Sequence, residues 1–149
     1  LFKDIVGNKL VFYSDYQSSK GREMDNNPNI SGLFFWPELH RQIRLEGVIS
    51  KTSNEVSDNY FASRPRGAQL SAIASSQSTE IKGRETVEDR IQGLEKEFEG
   101  KDIPRPDNWG GYAIDISFWE FWQGRRSRTH DRFIYVKNDN SWEITRLSP

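Results

Sequence analysis

A chain of 149 residues is long enough to bury one good core and gives no reason to expect a second. Its net charge of -1, with 29% charged residues, leaves no global field for nucleic acid or an anionic membrane, so any anion site must come from arginines clustered locally. The absence of cysteine excludes thiol catalysis, cysteine-metal sites and disulfides. No apolar run reaches membrane-spanning length and no signal or transit segment is recognisable, so the chain reads as soluble, with the cytoplasm as its expected location.

The opening Leu1-Phe2-Lys3 lacks an initiator methionine and reads as the inside of an apolar strand, so a natural N-terminal segment is expected to be missing. Residues 1–5 and 10–13 are apolar and β-branched on either side of Gly7-Asn8, which predicts a hairpin. The polar stretch 18–24 predicts a short helix ended by Asn26-Asn27-Pro28, followed by a buried strand over 30–36. Residues 42–49 begin with period-two alternation, and Gly47 marks an expected bulge at a barrel corner. Thr52-Ser53-Asn54-Glu55 has the spacing of a capping box, predicting a helix over about 53–63. Arg64 precedes Pro65, which disfavours helix at Arg64 and suits the first turn of a second helix running to about Ala74. Val87, Ile91, Leu94 and Phe98 form the stripe of an amphipathic helix that packs on one side, with Gly100 as its stop. After a linker containing Pro104 and Pro106, four strands are expected over 112–116, 118–122, 132–137 and 142–146, the last two joined by a turn at 138–141. Strand runs around a helical middle predict an α+β fold, a single domain with an antiparallel barrel and helices on its flank.

Two segments carry chemistry. Residues 121–133 hold Arg125, Arg126, Arg128, Arg132, His130 and Asp131 between aromatic strands, which suits a planar anionic ligand; a solvated hairpin connection is the competing reading. In the second, a helix ending near Ser63 places Tyr60 and Arg64 one turn apart, and Pro65 opens a new helix whose unpaired N–H groups lie nearby. Guanidinium, phenol and helix N-terminus together suit a phosphomonoester, the alternative being an ordinary helix break with surface arginines. His40, beside Pro37-Glu38, is expected at the surface. Two histidines so far apart offer no metal-ligand spacing, and no metal is predicted.

The runs Phe121-Trp122-Gln123-Gly124, Arg128-x-His130-Asp131-Arg132-Phe133 and Trp142-x-Ile144-x-Arg146-Leu147-x-Pro149 resemble the C-terminal signature of the pyridoxine/pyridoxamine 5'-phosphate oxidases. Tyr60-Phe61-x-Ser63-Arg64-Pro65-Arg66, Gln69 and Ser75-x-Gln77-Ser78 extend the likeness, which runs from Lys3 to Pro149. The resemblance implies an FMN-binding split barrel, active as a homodimer with FMN at the interface. It implies oxidation of pyridoxine or pyridoxamine 5'-phosphate to pyridoxal 5'-phosphate, with O2 reduced to H2O2. By the same likeness Lys3, Tyr60 and Arg64 would hold the substrate phosphate, with Ala68 beside them. Arg128 and His130, with Thr129 between, would lie over the pyridine ring, and Arg128 and His130 would serve the chemistry. Tyr13, Ser14, Ser19, Lys20, Gln42, Gln77, Ser78, Trp122 and Arg132 would contact FMN.

Two of these positions depart from the family pattern. Ser19 stands where arginine is usual, forgoing a charge-assisted bond of roughly 1.5–3 kcal/mol, with Arg22 near enough along the chain to substitute; Ala68 replaces a serine hydroxyl, a loss of about 1 kcal/mol. One rival reading is a related split-barrel flavin reductase or FMN-binding protein with another substrate, separated by the set Lys3, Tyr60, Arg64, Arg128 and His130. Another is a barrel that binds single-stranded nucleic acid through the arginines of 121–133, disfavoured by the near-neutral charge.

Overall fold

The computed structural model describes residues 1–139 and 141–149. Strands β1 (Asp4–Val6) and β2 (Lys9–Asp15) form the opening hairpin, turned by Gly7 at φ 60°, a backbone that glycine adopts without a Cβ penalty. Helix α1 (Ser19–Asn26) starts where the Ser18 hydroxyl accepts a hydrogen bond from the Gly21 N–H. Strand β3 (Asn29–Trp36) and strand β4 (Arg41–Lys51) follow, separated by a short 3-10 turn. Helix α2 (Asn54–Ser63) stops at Arg64, whose extended backbone (φ -73°, ψ 148°) is what a following proline demands, and α3 (Arg66–Ala74) begins at once. Helix α4 (Glu85–Glu97) lays Leu94, with Phe98 just past its end, against Phe61 and Leu70 and leaves its charged faces outward. The chain closes with β5 (Trp109–Gln123), β6 (Asp131–Asn138) and β7 (Ser141–Leu147).

All seven strands belong to one antiparallel sheet flanked by helices, the expected α+β arrangement. Strand β5 is its spine. Along one edge it pairs with β4 over nearly its whole length; along the other, its first half pairs with β2 and its second half with β6, which carries β7. One core cluster is centred on Leu45, Ile49, Tyr112, Ile114 and Ile116 of β4 and β5, with Met24 of α1 packed among them. A second, of Phe61, Leu70, Ile103 and Trp109, joins the helices to the start of β5. Each such side chain contributes about 1.5–3 kcal/mol when fully withdrawn from water, so both clusters hold the helices and the barrel in one unit.

Four expectations need correction. The strands expected over 112–116 and 118–122 are a single strand. Pairing with β4 slips between Glu46 and Gly47, so that Ser117 is passed over as a bulge rather than ending the strand. The run 30–36 is a strand but not a buried one. Successive side chains of a strand point to opposite faces, so Ile30 and Phe34 turn to the core while Leu33 and Phe35, on the other face, are 60% and 58% exposed. Helix α2 is capped by the Ser53 hydroxyl, which accepts from the Val56 N–H at 3.3 Å, and not by Thr52, whose hydroxyl meets that of Ser57 at 2.9 Å. Pro65 occupies the cap position of α3 rather than its first turn. The expected turn 138–141 includes Asn140, which lies outside the described residues, although Asn138 and Ser141 do pair. His40 is exposed, as expected.

Gly47 is where the bulge imposes a strict requirement. A Cβ there would run into the carbonyl oxygen of Asp115 and lie 2.9 Å from the Ile116 Cα, all rigid backbone. Gly47→Val should therefore destabilise the fold by about 1–3 kcal/mol, read as a lower urea midpoint at unchanged slope.

Candidate active site

The break between α2 and α3 opens onto a hollow of about 600 Å³, within the range of small-molecule sites. Lys3, Tyr13, Ser14, Tyr60, Arg64, Ala68 and Gln77 all line it, so the chain gathers the whole expected substrate-phosphate set and part of the FMN set in one place. Tyr13 and Tyr60 stack with ring centroids 3.8 Å apart, and Trp109 continues the stack at 5.4 Å from Tyr13. Arg64 has no carboxylate partner among the described residues. Its guanidinium carbon lies 4.7 Å from the centroid of Trp109, and Nη1 is buried without a hydrogen-bond acceptor. Burial pushes this guanidinium below the usual arginine value, with Tyr60 opposing the shift. A cation so placed favours an anionic ligand.

At the far wall the Gln77 Oε1 accepts from the Ser14 hydroxyl at 3.0 Å and from the Lys20 ammonium at 3.5 Å, joining three of the expected FMN contacts. Ser78, next in the chain, takes a left-handed backbone, φ 65°, and lies outside the lining. Ser19 is touched by Arg22, whose Nη2 donates to its hydroxyl at 3.4 Å while Nη1 donates to the Gln17 carbonyl. The arginine is thus present at the start of α1, one turn from the position where the family pattern has one.

Gln42 and Trp122 face each other across β4 and β5 and line a second hollow of about 410 Å³ with Arg125 and Asp131. Beyond it the β5–β6 connection carries Arg128, Thr129 and His130. The Arg125 N–H donates to His130 Nδ1 at 3.1 Å, and the His130 ring centroid is 4.8 Å from that of Trp122. Ser127 and Arg128 both have positive φ, 54° and 62°, which for such residues costs about 1–2 kcal/mol each and has to be held by the surroundings. Asp131 supplies the hold by accepting from Arg125 at 2.7 Å and from Arg146 at 2.5 Å. Arg132 faces neither hollow: its Nε donates at 2.7 Å to Glu120, a buried carboxylate that Arg44 also contacts at 3.1 Å. Within one chain the two linings share no residue, and Arg128 and His130 do not reach the hollow that holds Arg64.

Trp109, Asp15, Ser63, Ser71 and Ser75 also line the larger hollow and were not anticipated. The available signal was Trp109-Gly110-Gly111-Tyr112, since adjacent glycines inside a strand mark close approach of other groups; a Cβ on Gly111 would lie 2.9 Å from Tyr13.

A solved FMN-binding protein from Nostoc punctiforme, described as related to pyridoxamine 5'-phosphate oxidase, superposes with a TM-score of 0.77 at 16% identity, over 100% of this chain and 78% of that one. PhzG from Burkholderia lata, solved in complex with tetrahydrophenazine-1-carboxylic acid, superposes at 0.92 with 30% identity, over 99% of this chain and 72% of that one. The fold is therefore the FMN-binding split barrel. The family model for pyridoxamine 5'-phosphate oxidase matches residues 4–97, and that for the pyridoxine 5'-phosphate oxidase C-terminal dimerisation region matches residues 109–149. Curated pyridoxine/pyridoxamine 5'-phosphate oxidases from Leptospira biflexa and Flavobacterium johnsoniae are 45% and 49% identical over 149 residues, covering 100% and 99% of this chain and 70% of each relative. The chain belongs to the pyridoxine/pyridoxamine 5'-phosphate oxidase family, an oxidoreductase family whose cofactor is FMN. The donors fit that cofactor in kind: Lys20 for a phosphate, Ser14 and Gln77 for hydroxyl and ring edges, and the face of Trp122 for a flat ring. No helix among the described residues is long and apolar enough to cross a membrane.

The clasp at Asp131 has a defined pH response. The hydrogen bond from Arg125, reinforced by the charges of Arg125 and Arg146, holds its carboxyl below the ordinary 3.8. A depressed carboxylate stabilises at every pH above its unfolded value and loses that contribution only as pH falls through the folded one. The Arg125 Nε–H proton resonance should thus stay in place down to pH 3.8 and move only in stronger acid, whereas Asp131→Asn should shift it at neutral pH. Movement in mild acid would contradict the clasp.

Proposed function

We propose that this protein oxidises pyridoxine 5'-phosphate or pyridoxamine 5'-phosphate to pyridoxal 5'-phosphate, with O2 as the final acceptor and H2O2 as product. It acts as a homodimer whose sites each draw on both chains. The observation that carries the reading is Arg64, a cation with no carboxylate partner, in one hollow with Lys3 and Tyr60. Their donors suit the acceptor-only phosphate dianion. Ala68 leaves that seat one hydroxyl short, so Arg64 and Lys3 carry more of its binding.

Bound FMN supplies a two-electron acceptor, and the protein's contribution is position. Lys20, Ser14, Gln77 and Ser78, with Tyr13, would hold the cofactor from one chain. Gln42, Trp122 and Arg132 would do so from the partner, with Arg22 serving beside Ser19. Arg128, Thr129 and His130 of the partner would cover the pyridine ring. Because His130 Nδ1 accepts from the Arg125 N–H, the neutral ring keeps its hydrogen on Nε2 and offers a donor to the substrate. The family match to a dimerisation region, and apolar side chains left exposed on β3, β6 and β7, support a two-chain site.

PhzG gives the second reading concrete form, a relative whose solved complex holds a tricyclic carboxylic acid rather than a phosphate ester. The test is FMN-loaded protein with pyridoxine 5'-phosphate in air, scored for aldehyde and peroxide. Arg64→Gln should lower kcat/KM about tenfold to a hundredfold, the worth of a hydrogen bond to a charged group, while retaining FMN. Absence of product from the FMN-loaded wild-type chain would favour the second reading.

A further inference from the structure

We infer that Trp109 is a positioning residue for the phosphate seat, acting through Arg64: its indole face, and not a carboxylate, sets the direction of the guanidinium. The inference rests on the reading of the larger hollow as that seat. Arginine in a half-buried site is ordinarily fixed by an acid, which also consumes its charge. Arg64 is fixed by aromatic faces, Trp109 at 4.7 Å and Phe61 at 5.9 Å, with no acid paired to it among the described residues. A ring quadrupole attracts the cation without neutralising it, so the full charge remains for an incoming phosphate.

Trp109 is itself rigid. It is 7% exposed, its ring meets Phe61 edge-on at 5.3 Å, and Tyr13 and Tyr60 lie parallel to it within 11°. Its carbonyl accepts from Arg105 Nη1 at 2.6 Å, and the Arg105 Nε bonds Asp58 of α2 at 2.5 Å, so the start of β5 is tied to the helix that ends at Arg64. Indole and guanidinium are therefore held relative to each other by backbone as well as by contact. Loss of the ring face should free Arg64 to rotate, weakening phosphate binding while the reacting end of the substrate is untouched.

The test uses the FMN-loaded full chain and 4-deoxypyridoxine 5'-phosphate, which keeps ring and phosphate but has no oxidisable C4' hydroxyl, with affinity measured by calorimetry. Trp109→Leu should bind about tenfold more weakly, the fold-change of a desolvated cation–π contact. Trp109→Phe, which restores a flat face, should lie within about threefold of wild type. In turnover, Trp109→Leu should raise KM for pyridoxine 5'-phosphate with kcat little changed. In an Arg64→Gln background, Trp109→Leu should have no further effect on affinity, because the residue it positions is gone. Should Trp109→Leu fail to fold, Trp109→Met carries the same expectations. Wild-type affinity in the leucine or methionine variant, or losses that simply add in the double variant, would overturn the inference. Equal affinity in wild type and Arg64→Gln would instead overturn the phosphate reading, and this inference with it.

Discussion

One strand shared by three neighbours is the constraint on which the site depends. Strand β5 runs 15 residues, roughly 45–50 Å of extended chain, with β4 along one edge and with β2 and β6 dividing the other. Its first residues stand under the helix break that holds Arg64, and its last residues present Trp122 and lead into the turn of Arg128 and His130. The groups expected to act together are therefore delivered to opposite ends of a single strand. In the proposed homodimer a second copy of the chain would bring the two ends together, and it would also cover the apolar edge strand β3, which a single chain leaves open to water.

Electrostatics follow the same division. Most arginines of the β5–β6 region are already committed: Arg125 and Arg146 to Asp131, and Arg132 to Glu120. These pairs hold a strained turn and the β5–β6 seam; those at Asp131, whose arginines are exposed, add little to overall stability, while Arg132 meets a buried carboxylate. Arg64 is the opposite case. The polarity of its surroundings comes from aromatic rings and a helix end, so its charge is not cancelled before a ligand arrives. The first group is tied into the scaffold by acids, whereas Arg64 has no acid paired to it among the described residues.

Much of this was legible in the residues, and the parts that were not have physical reasons. Local rules identified the Gly7 turn, the Ser18 region as a helix start, the Gly47 bulge and the extended Arg64 before Pro65, because each depends only on backbone sterics of a few neighbours. The continuity of β5 was hidden because the apolar alternation that runs through Ser117 changes phase at Phe118-Trp119. Whether such a residue ends a strand or bulges is decided by the partner strand, here at Gly47. The exposure of β3 was hidden because an apolar run reports that something must cover it, without saying whether the cover comes from its own chain. Trp109 was missed since a lone aromatic beside glycines carries no charge pattern, and its contact with Arg64 spans residues far apart in sequence. The grouping of Tyr60 and Arg64 in one hollow was legible because Tyr60, Arg64 and Pro65 are neighbours in sequence. The turn of Arg128 and His130 was legible as a cluster, but its separation from the Arg64 hollow within one chain emerged only in three dimensions.

The central claim is that one working site needs the Arg64 hollow of one chain and the Arg128–His130 turn of another. It is tested most directly by complementation between two impaired variants, Arg64→Gln and His130→Ala, refolded together from denaturant in equal amounts with FMN and assayed at limiting pyridoxine 5'-phosphate. Random pairing makes half of the dimers mixed, each with one intact site, so oxidation of pyridoxine 5'-phosphate should return to about a quarter of the wild-type rate while each variant alone stays well below that. A mixture no more active than the mean of the two variants refolded separately would contradict the claim.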